Sequence, residues 1–139
     1  MSAARHQAAD TALGNAMDRA ARWTQTNGYL GERVVVDVSG DGRSNEGGSP
    51  AFARAAANRL GITINGLAIL NEEPGLARYY IAGVVGGPGS FLLTADDFED
   101  FAVAMRRKLY FEIVGPPVVE APQARPEERP MLTRRPDAP

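Results

Sequence analysis

The sequence predicts an α/β fold built on a parallel sheet, and two observations carry that prediction. An apolar β-branched run from Val34 to Val38 is followed directly by a loop with glycines at positions 40, 42, 47 and 48. This pattern is typical of a buried parallel strand that is followed by a loop at the carboxyl edge of the sheet. A second apolar run, at residues 62–69, follows an alanine-rich segment of helical length. The three segments form a strand-helix-strand unit, whose two strands are parallel.

The elements around this unit follow from periodicity and capping signals. Within residues 11–27, apolar side chains recur at spacings of three and four, which predicts a helix that ends at Gly28 and has one apolar face, formed by Leu13, Ala16, Met17, Ala20 and Trp23. After the first strand, a second helix is predicted, with Ser49 as its N-cap, Pro50 at its first position and an alanine-rich body over residues 51–60.

The later part of the chain has weaker signals. Residues 76–84 can form a short helix, residues 86–89 a turn, and residues 91–93 a third short strand. Thr94 and Asp97 have the spacing of a capping box, and they open a long helix. The predicted apolar face of this helix consists of Phe98, Phe101, Ala102, Met105, Leu109 and Ile113.

Length and composition limit the possible functions. The 139 residues suffice for one modest core, which we place in residues 1–114. Residues 115–139 hold seven of the ten prolines, a composition that predicts a disordered tail. The balance of 15 basic and 17 acidic residues argues against binding to nucleic acid, and the absence of cysteine excludes disulfides and thiolate chemistry. We expect no membrane span, because no run approaches ~20 apolar residues, and residues 1–10 lack the apolar core of a signal peptide.

Over about residues 11–113, the sequence resembles a largely uncharacterised bacterial family of von Willebrand factor type A-like proteins. The resemblance lies in the order of its segments, which is helix, VVVDVSGDGRSN, helix, ITINGLAIL, RYY, VVGGPGSF and ADDFEDFAVAMRRKL. The resemblance implies a truncated doubly wound, Rossmann-like fold, in which about three parallel strands with flanking helices form the second half of a type A-like domain. Such domains hold Mg²⁺ or Ca²⁺ in a metal-ion-dependent adhesion site built from three loops. Intact relatives are expected to be periplasmic or secreted, whereas this chain itself leaves its compartment open.

Matched to that site, Thr11 resembles the threonine of the second loop and Asp41 the aspartate of the third loop. The Asp-x-Ser-x-Ser motif of the first loop is absent, because the chain begins after it, and Ala9 and Asp10 replace an expected glycine pair. The resemblance therefore implies an incomplete site. We expect it to bind Mg²⁺ or Ca²⁺ weakly at most, and we expect no tightly bound cofactor.

Other interpretations of the same residues stay open. Asp41 can simply form an Asp-Gly turn, and Thr11 can be an N-cap, with Asp10 as competitor. Asp37, Ser39 and Asp41 lie two residues apart and imitate Asp-x-Ser-x-Ser on one side of an extended chain, which would make a self-contained metal site. Alternatively, Asp37 satisfies nearby backbone or a helix end.

Two further clusters have both a functional and a structural interpretation. Tyr79 and Tyr80 can form a small exposed aromatic patch or pack half-buried. The basic cluster at residues 106–108 is predicted to place favourable charge on the last turns of its helix.

The leading functional hypothesis is a non-enzymatic protein-binding module with an incomplete metal-ion-dependent adhesion site. The resemblance implies that the missing first strand would be the neighbour of the strand from Val34 to Val38. That strand would then present an open edge, through which the chain binds a protein partner or associates with itself. The alternatives are a small Mg²⁺-dependent hydrolase that uses Asp37 and Asp41, and a structural half-domain completed by another chain.

Overall fold

The computed structural model describes residues 12–115, in which four helices and three strands alternate. The elements are α1 (Leu13–Thr26), β1 (Val34–Gly40), α2 (Pro50–Arg59), β2 (Ile62–Ile69), α3 (Leu76–Gly83), β3 (Leu92–Ala95) and α4 (Phe98–Val114). The predicted α/β fold with three parallel strands and flanking helices is confirmed, and it is consistent with a truncated Rossmann-like sheet.

The sheet has the order β1-β2-β3, and both strand pairs are parallel. β1 pairs with β2 along its whole length, from Val34 opposite Ile62 to Gly40 opposite Ala68. All eight residues of β2 are buried, because this strand has a neighbour on each side and helices over both faces, which explains why both of its faces carry apolar side chains.

The helices cover the two faces of the sheet unequally. One face carries α1, α2 and α3, whose core residues include Met17, Ala57 and Tyr80, packed with Ile62 and Ile64 of β2. The other face carries α4, where Leu67, Ile69, Ala95 and Ala104 form a smaller cluster. The alternation of side chains along β2 thus supplies both cores.

The buried face of α1 differs from the prediction. Trp23 is 64% exposed, whereas Gly14, Met17 and Ala21 are buried. The reason is a close backbone approach, since a Cβ atom on Gly14 would lie 1.9 Å from the carbonyl oxygen of Gly48. Glycine at position 14 lets α1 contact the loop before α2 on this side.

The predicted capping signals hold only in part. Pro50 is the first residue of α2, and Ser49 is extended, but the Ser49 side chain makes no capping hydrogen bond. Thr94 lies inside β3 and takes no part in a capping box. Asp97 is itself the N-cap of α4, because its Oδ1 atom accepts hydrogen bonds from the backbone N–H groups of residues 99 and 100, at 2.8 and 2.9 Å.

The buried face of α4 agrees with the prediction only in part, since Phe101 and Met105 pack against the smaller cluster. Ala104 and Lys108 are buried, whereas Phe98, Leu109 and Ile113 are 58%, 50% and 84% exposed. The helix packs over β2 and β3, and a three-stranded sheet is too narrow to cover its second flank. That flank lies beside the end of β1, where Phe98 lines a groove with Asp41.

Two predictions fall outside the residues that the structure describes. Thr11 precedes them, and the predicted tail at 115–139 follows them except for Gly115.

Candidate functional site

The carboxyl end of β1 opens into a groove on the α4 face of the sheet. Ser39 and Asp41, both exposed, form one wall, and Ile69, Phe98 and Phe101 form the other. The groove has a volume of about 280 Å³. Its floor is apolar and its rim carries one carboxylate, a combination suited to a side chain with an apolar stem and a polar end.

A second groove runs along the open side of β1 on the α1 face. It has a volume of about 300 Å³. Its lining consists of Leu13, Ala16, Met17 and Ala20 from α1 and of residues 36–39 from β1. Apolar side chains of a bound segment would therefore find apolar neighbours on this face.

Side chains from α1 and α3 hold the loop that follows β1. The Oγ atom of Ser44 accepts a hydrogen bond from the N–H of Leu13 at 3.1 Å, and the N–H of Ser44 donates to the hydroxyl of Tyr79 at 3.2 Å. Further along the loop, the N–H of Gly48 donates to Oδ1 of Asn15 at 2.8 Å. These bonds tie the loop to α1 and α3, although it contains several glycines.

The two adjacent tyrosines do not form an exposed patch. Tyr80 is completely buried, and Tyr79 is half-buried beneath the Arg43 guanidinium, which lies 5.2 Å from the centre of its ring and pairs with Glu73. Burial raises the pKa of Tyr80 to about 12, with smaller contributions from the negative charge that Tyr79 and Asp41 can carry. Tyr79 therefore supports the loop after β1 through its hydrogen bond with Ser44, and Tyr80 belongs to the core beneath that loop.

Asp37 faces α4, where it forms an ion pair that the sequence did not predict. The Nζ atom of Lys108 lies 2.5 Å from Oδ1 of Asp37 and 2.6 Å from Oε1 of Glu112. Lys108 is 1% exposed, whereas 40% of the Asp37 side chain remains exposed. None of the interpretations of Asp37 included this ion pair, and Lys108, which lies in the C-terminal half of α4 as predicted, is buried there.

One signal pointed to this pair. Lys108 and Glu112 have the i, i+4 spacing of a helical ion pair, and Lys108 follows the half-buried Phe101 by two turns. The partner on β1 cannot be found from spacing, because the contact joins residues 71 positions apart that meet only after the sheet and α4 have packed.

Asn65 is a buried polar residue of β2, and it lies opposite Asp37 in the β1–β2 register. Its Oδ1 atom accepts a hydrogen bond from the N–H of Phe91 at 3.1 Å. Its amide nitrogen has no hydrogen-bond partner among residues 12–115. The hydrogen bond from Phe91 to Asn65 positions the start of β3 beside β2.

The described residues do not fit a resident metal ion. Asp37 is held by Lys108, and Asp41 lies four residues further along the chain, beyond the last residue of β1, Gly40. Thr11, the other predicted ligand, lies outside the described residues. Between residues 12 and 115, no group of three or more histidine, cysteine, aspartate or glutamate side chains is placed to hold a metal.

None of the four helices within residues 12–115 has the length and apolar character needed to cross a membrane.

Comparison with known proteins adds a family and no function. Searches of the curated proteins and of the solved structures found no match. A family model described as a protein of unknown function (DUF1194) matches residues 1–117, which is most of the chain. The chain therefore belongs to the DUF1194 family of proteins of unknown function.

Proposed function

We propose that the chain is a non-enzymatic protein-binding module that recognises a partner along the open edge of β1 and at the carboxyl end of that strand. One observation carries the proposal. β1 pairs with β2 over seven residues, and no strand pairs with its other side within residues 12–115. Unpaired backbone N–H and C=O groups along such an edge form a template for another strand.

The side chains at this edge favour recognition over covalent chemistry. β1 consists mainly of valine, with Ser39 exposed and with Asp37 held by Lys108. The resemblance to type A domains supports a binding role at the same end of the sheet, where Asp41 would be a remaining ligand of an incomplete metal-ion-dependent adhesion site. We propose that any contribution of Mg²⁺ or Ca²⁺ to binding is weak.

The same open edge favours a second candidate function, a half-domain that another polypeptide completes. In this candidate the partner stays bound permanently, because it would supply further strands to the same core. The hydrolase alternative has less support, because Asp37 is already paired with Lys108.

Site-specific photo-crosslinking in cells that express the full chain tests the proposal. A benzoylphenylalanine replaces Ser39 on β1 in one variant and Thr94 on β3 in a matched variant, since both side chains are exposed. We expect an adduct of defined mass at position 39 that is absent at position 94. Equal labelling at both positions, or no adduct at position 39, contradicts the proposal.

Calorimetry with Mg²⁺ tests the proposed weak metal dependence. We expect little or no heat from the full chain. Tight binding that disappears in Asp41→Ala would instead support a working adhesion site on this chain.

A further inference from the structure

We propose that the open edge of β1 binds an extended segment of a partner protein in which apolar and basic residues alternate, with the apolar side chains on the α1 face and the basic side chains on the α4 face. This inference rests on the proposed function and names the chemistry of the partner. It follows from the different character of the two faces that flank one strand edge.

The α1 face of the edge accepts apolar side chains. Val36 and Val38 point to this face, and both pack against the larger core cluster. The groove beside them is lined by apolar residues of α1, among them Leu13 and Met17. Every second side chain of an added strand would enter this groove, and burial of apolar surface there would favour the complex.

On the α4 face of the same edge, Asp37 and Glu112 share the ammonium group of Lys108, which leaves one negative charge in excess within this cluster. Asp41 adds a third carboxylate at the carboxyl end of the strand. Lys108 is buried and already contacts two of them. Arg107, the preceding basic residue of α4, lines the groove beside β3 on the other flank of the helix.

An added strand would also remove Asp37 from water. Its side chain is 40% exposed in the structure, and a carboxylate that is buried further loses hydration unless a cation pairs with it. A basic residue of the incoming segment, opposite Asp37, would supply that cation. A second copy of β1 paired antiparallel in the register centred on Asp37 would instead bring another carboxylate, and like charges opposite each other weaken strand pairing.

The groove at the carboxyl end of β1 gives an independent reason for a basic residue. Phe98 and Phe101 provide an apolar wall, Phe98 is 58% exposed, and Asp41 lies at the rim. The long stem of lysine or arginine can cover such a wall while its charged end reaches the carboxylate, and the cation is attracted to the ring faces.

Three synthetic heptapeptides test the inference with the full chain. They alternate valine with lysine, valine with serine and valine with glutamate. Affinity is measured by calorimetry, and the binding site by hydrogen exchange of the backbone amides. We expect the valine-lysine peptide to slow exchange in β1 and not in β3, and to bind more weakly as salt is raised. We expect weaker binding of the valine-serine peptide and none of the valine-glutamate peptide.

Charge-removing variants locate the interaction. Asp41→Asn is the primary variant, because Asp41 is exposed and its change leaves the buried ion pair intact. It should weaken the valine-lysine peptide by about two- to fivefold, as for one exposed ion pair, and leave the valine-serine peptide unchanged. Asp37→Asn should also weaken binding of the valine-lysine peptide. Asp96 lies beside β3, so Asp96→Asn should have no effect.

Each contrary result overturns the inference in a recognisable way. Equal protection of β1 by all three peptides leaves the edge as a binding site but refutes the basic partner. Sedimentation as a dimer with protected β1 amides identifies a second copy as the occupant, and protection in the free monomer identifies the chain's own residues. If the β1 amides exchange freely and no peptide slows their exchange, the inference is wrong. If photo-crosslinking also gives no adduct at position 39, the proposed function is wrong as well.

Discussion

The two outer strands of the sheet differ in length and in how α4 contacts them. β1 has seven residues and β3 has four. On the β3 side, α4 makes apolar contacts through Ala104 with Ala95, and it begins directly after the strand at the Asp97 cap. On the β1 side, its contact includes the ion pair from Lys108 to Asp37.

The comparison shows two ways in which a sheet edge is protected from unwanted pairing. A very short edge strand offers few backbone groups, which suffices for β3, whereas a charge that points to the covered face discourages pairing along a longer strand. In β1 the charge of Asp37 is only partly covered. We infer that β1 is the selective edge, open to a segment that can neutralise Asp37.

The largest expected effect comes from breaking the contact between α4 and β1. Lys108→Met removes the ammonium group between Asp37 and Glu112, and we expect the free energy of unfolding to fall by about 3 kcal/mol, near the lower limit for a buried pair because Asp37 is partly exposed. Urea denaturation measures the loss. Arg106→Met is the control, because Arg106 is exposed on the same helix, and it should change stability by less than about 0.5 kcal/mol. Equal effects of both substitutions would show that the ion pair does not hold the β1 side.

The same pair shows how far sequence reasoning reaches. The strand at 62–69 was predicted with its observed bounds, because its apolar run has turn signals on both sides and is buried from both faces. The apolar face of α4 was predicted less well, because its periodicity does not tell which flank a narrow sheet leaves uncovered. Asp41 lies just after the end of β1, as predicted, whereas the contact of Lys108 with Asp37 forms only through tertiary packing, which no local pattern records.

A second prediction concerns the support beneath the carboxyl end of β1, where Tyr80 is completely buried. Its pKa is raised from 10.0 to about 12, chiefly by burial. Below pH 10 the phenol is neutral in both folded and unfolded chains. Between pH 10 and 12 only the unfolded chain releases the proton, so the free energy of unfolding should fall by roughly 2 to 3 kcal/mol.

Urea denaturation at several pH values measures this loss, with Tyr80→Phe as the control. The control keeps the ring and removes the proton, so its stability should decline less steeply between pH 10 and 12. Parallel declines of the two proteins would contradict the assignment to Tyr80.

On the β3 side we expect a smaller effect, from the cap of α4. Asp97→Ala removes the oxygen that accepts hydrogen bonds from the N–H groups of residues 99 and 100, and it should cost about 1 kcal/mol. Asp96→Ala is the matched control, because Asp96 is an exposed neighbour outside the cap. If thermal denaturation gives the same melting temperature for both variants, the cap contributes nothing to the β3 edge.

The smallest effect should be a gain, at a position that touches neither edge. Gly83 is the last residue of α3, and a Cβ atom added there meets nothing within 4 Å. Alanine loses less backbone entropy than glycine in a helix, so Gly83→Ala should stabilise the fold by about 0.5 kcal/mol. Gly61 has equally open space but a φ of 76°, so Gly61→Ala should destabilise the fold by about 1 kcal/mol. If urea denaturation gives a higher free energy of unfolding for Gly83→Ala and a lower one for Gly61→Ala, backbone conformation decides the outcome. A lower free energy of unfolding in both variants would show that α3 does not tolerate a side chain at its end.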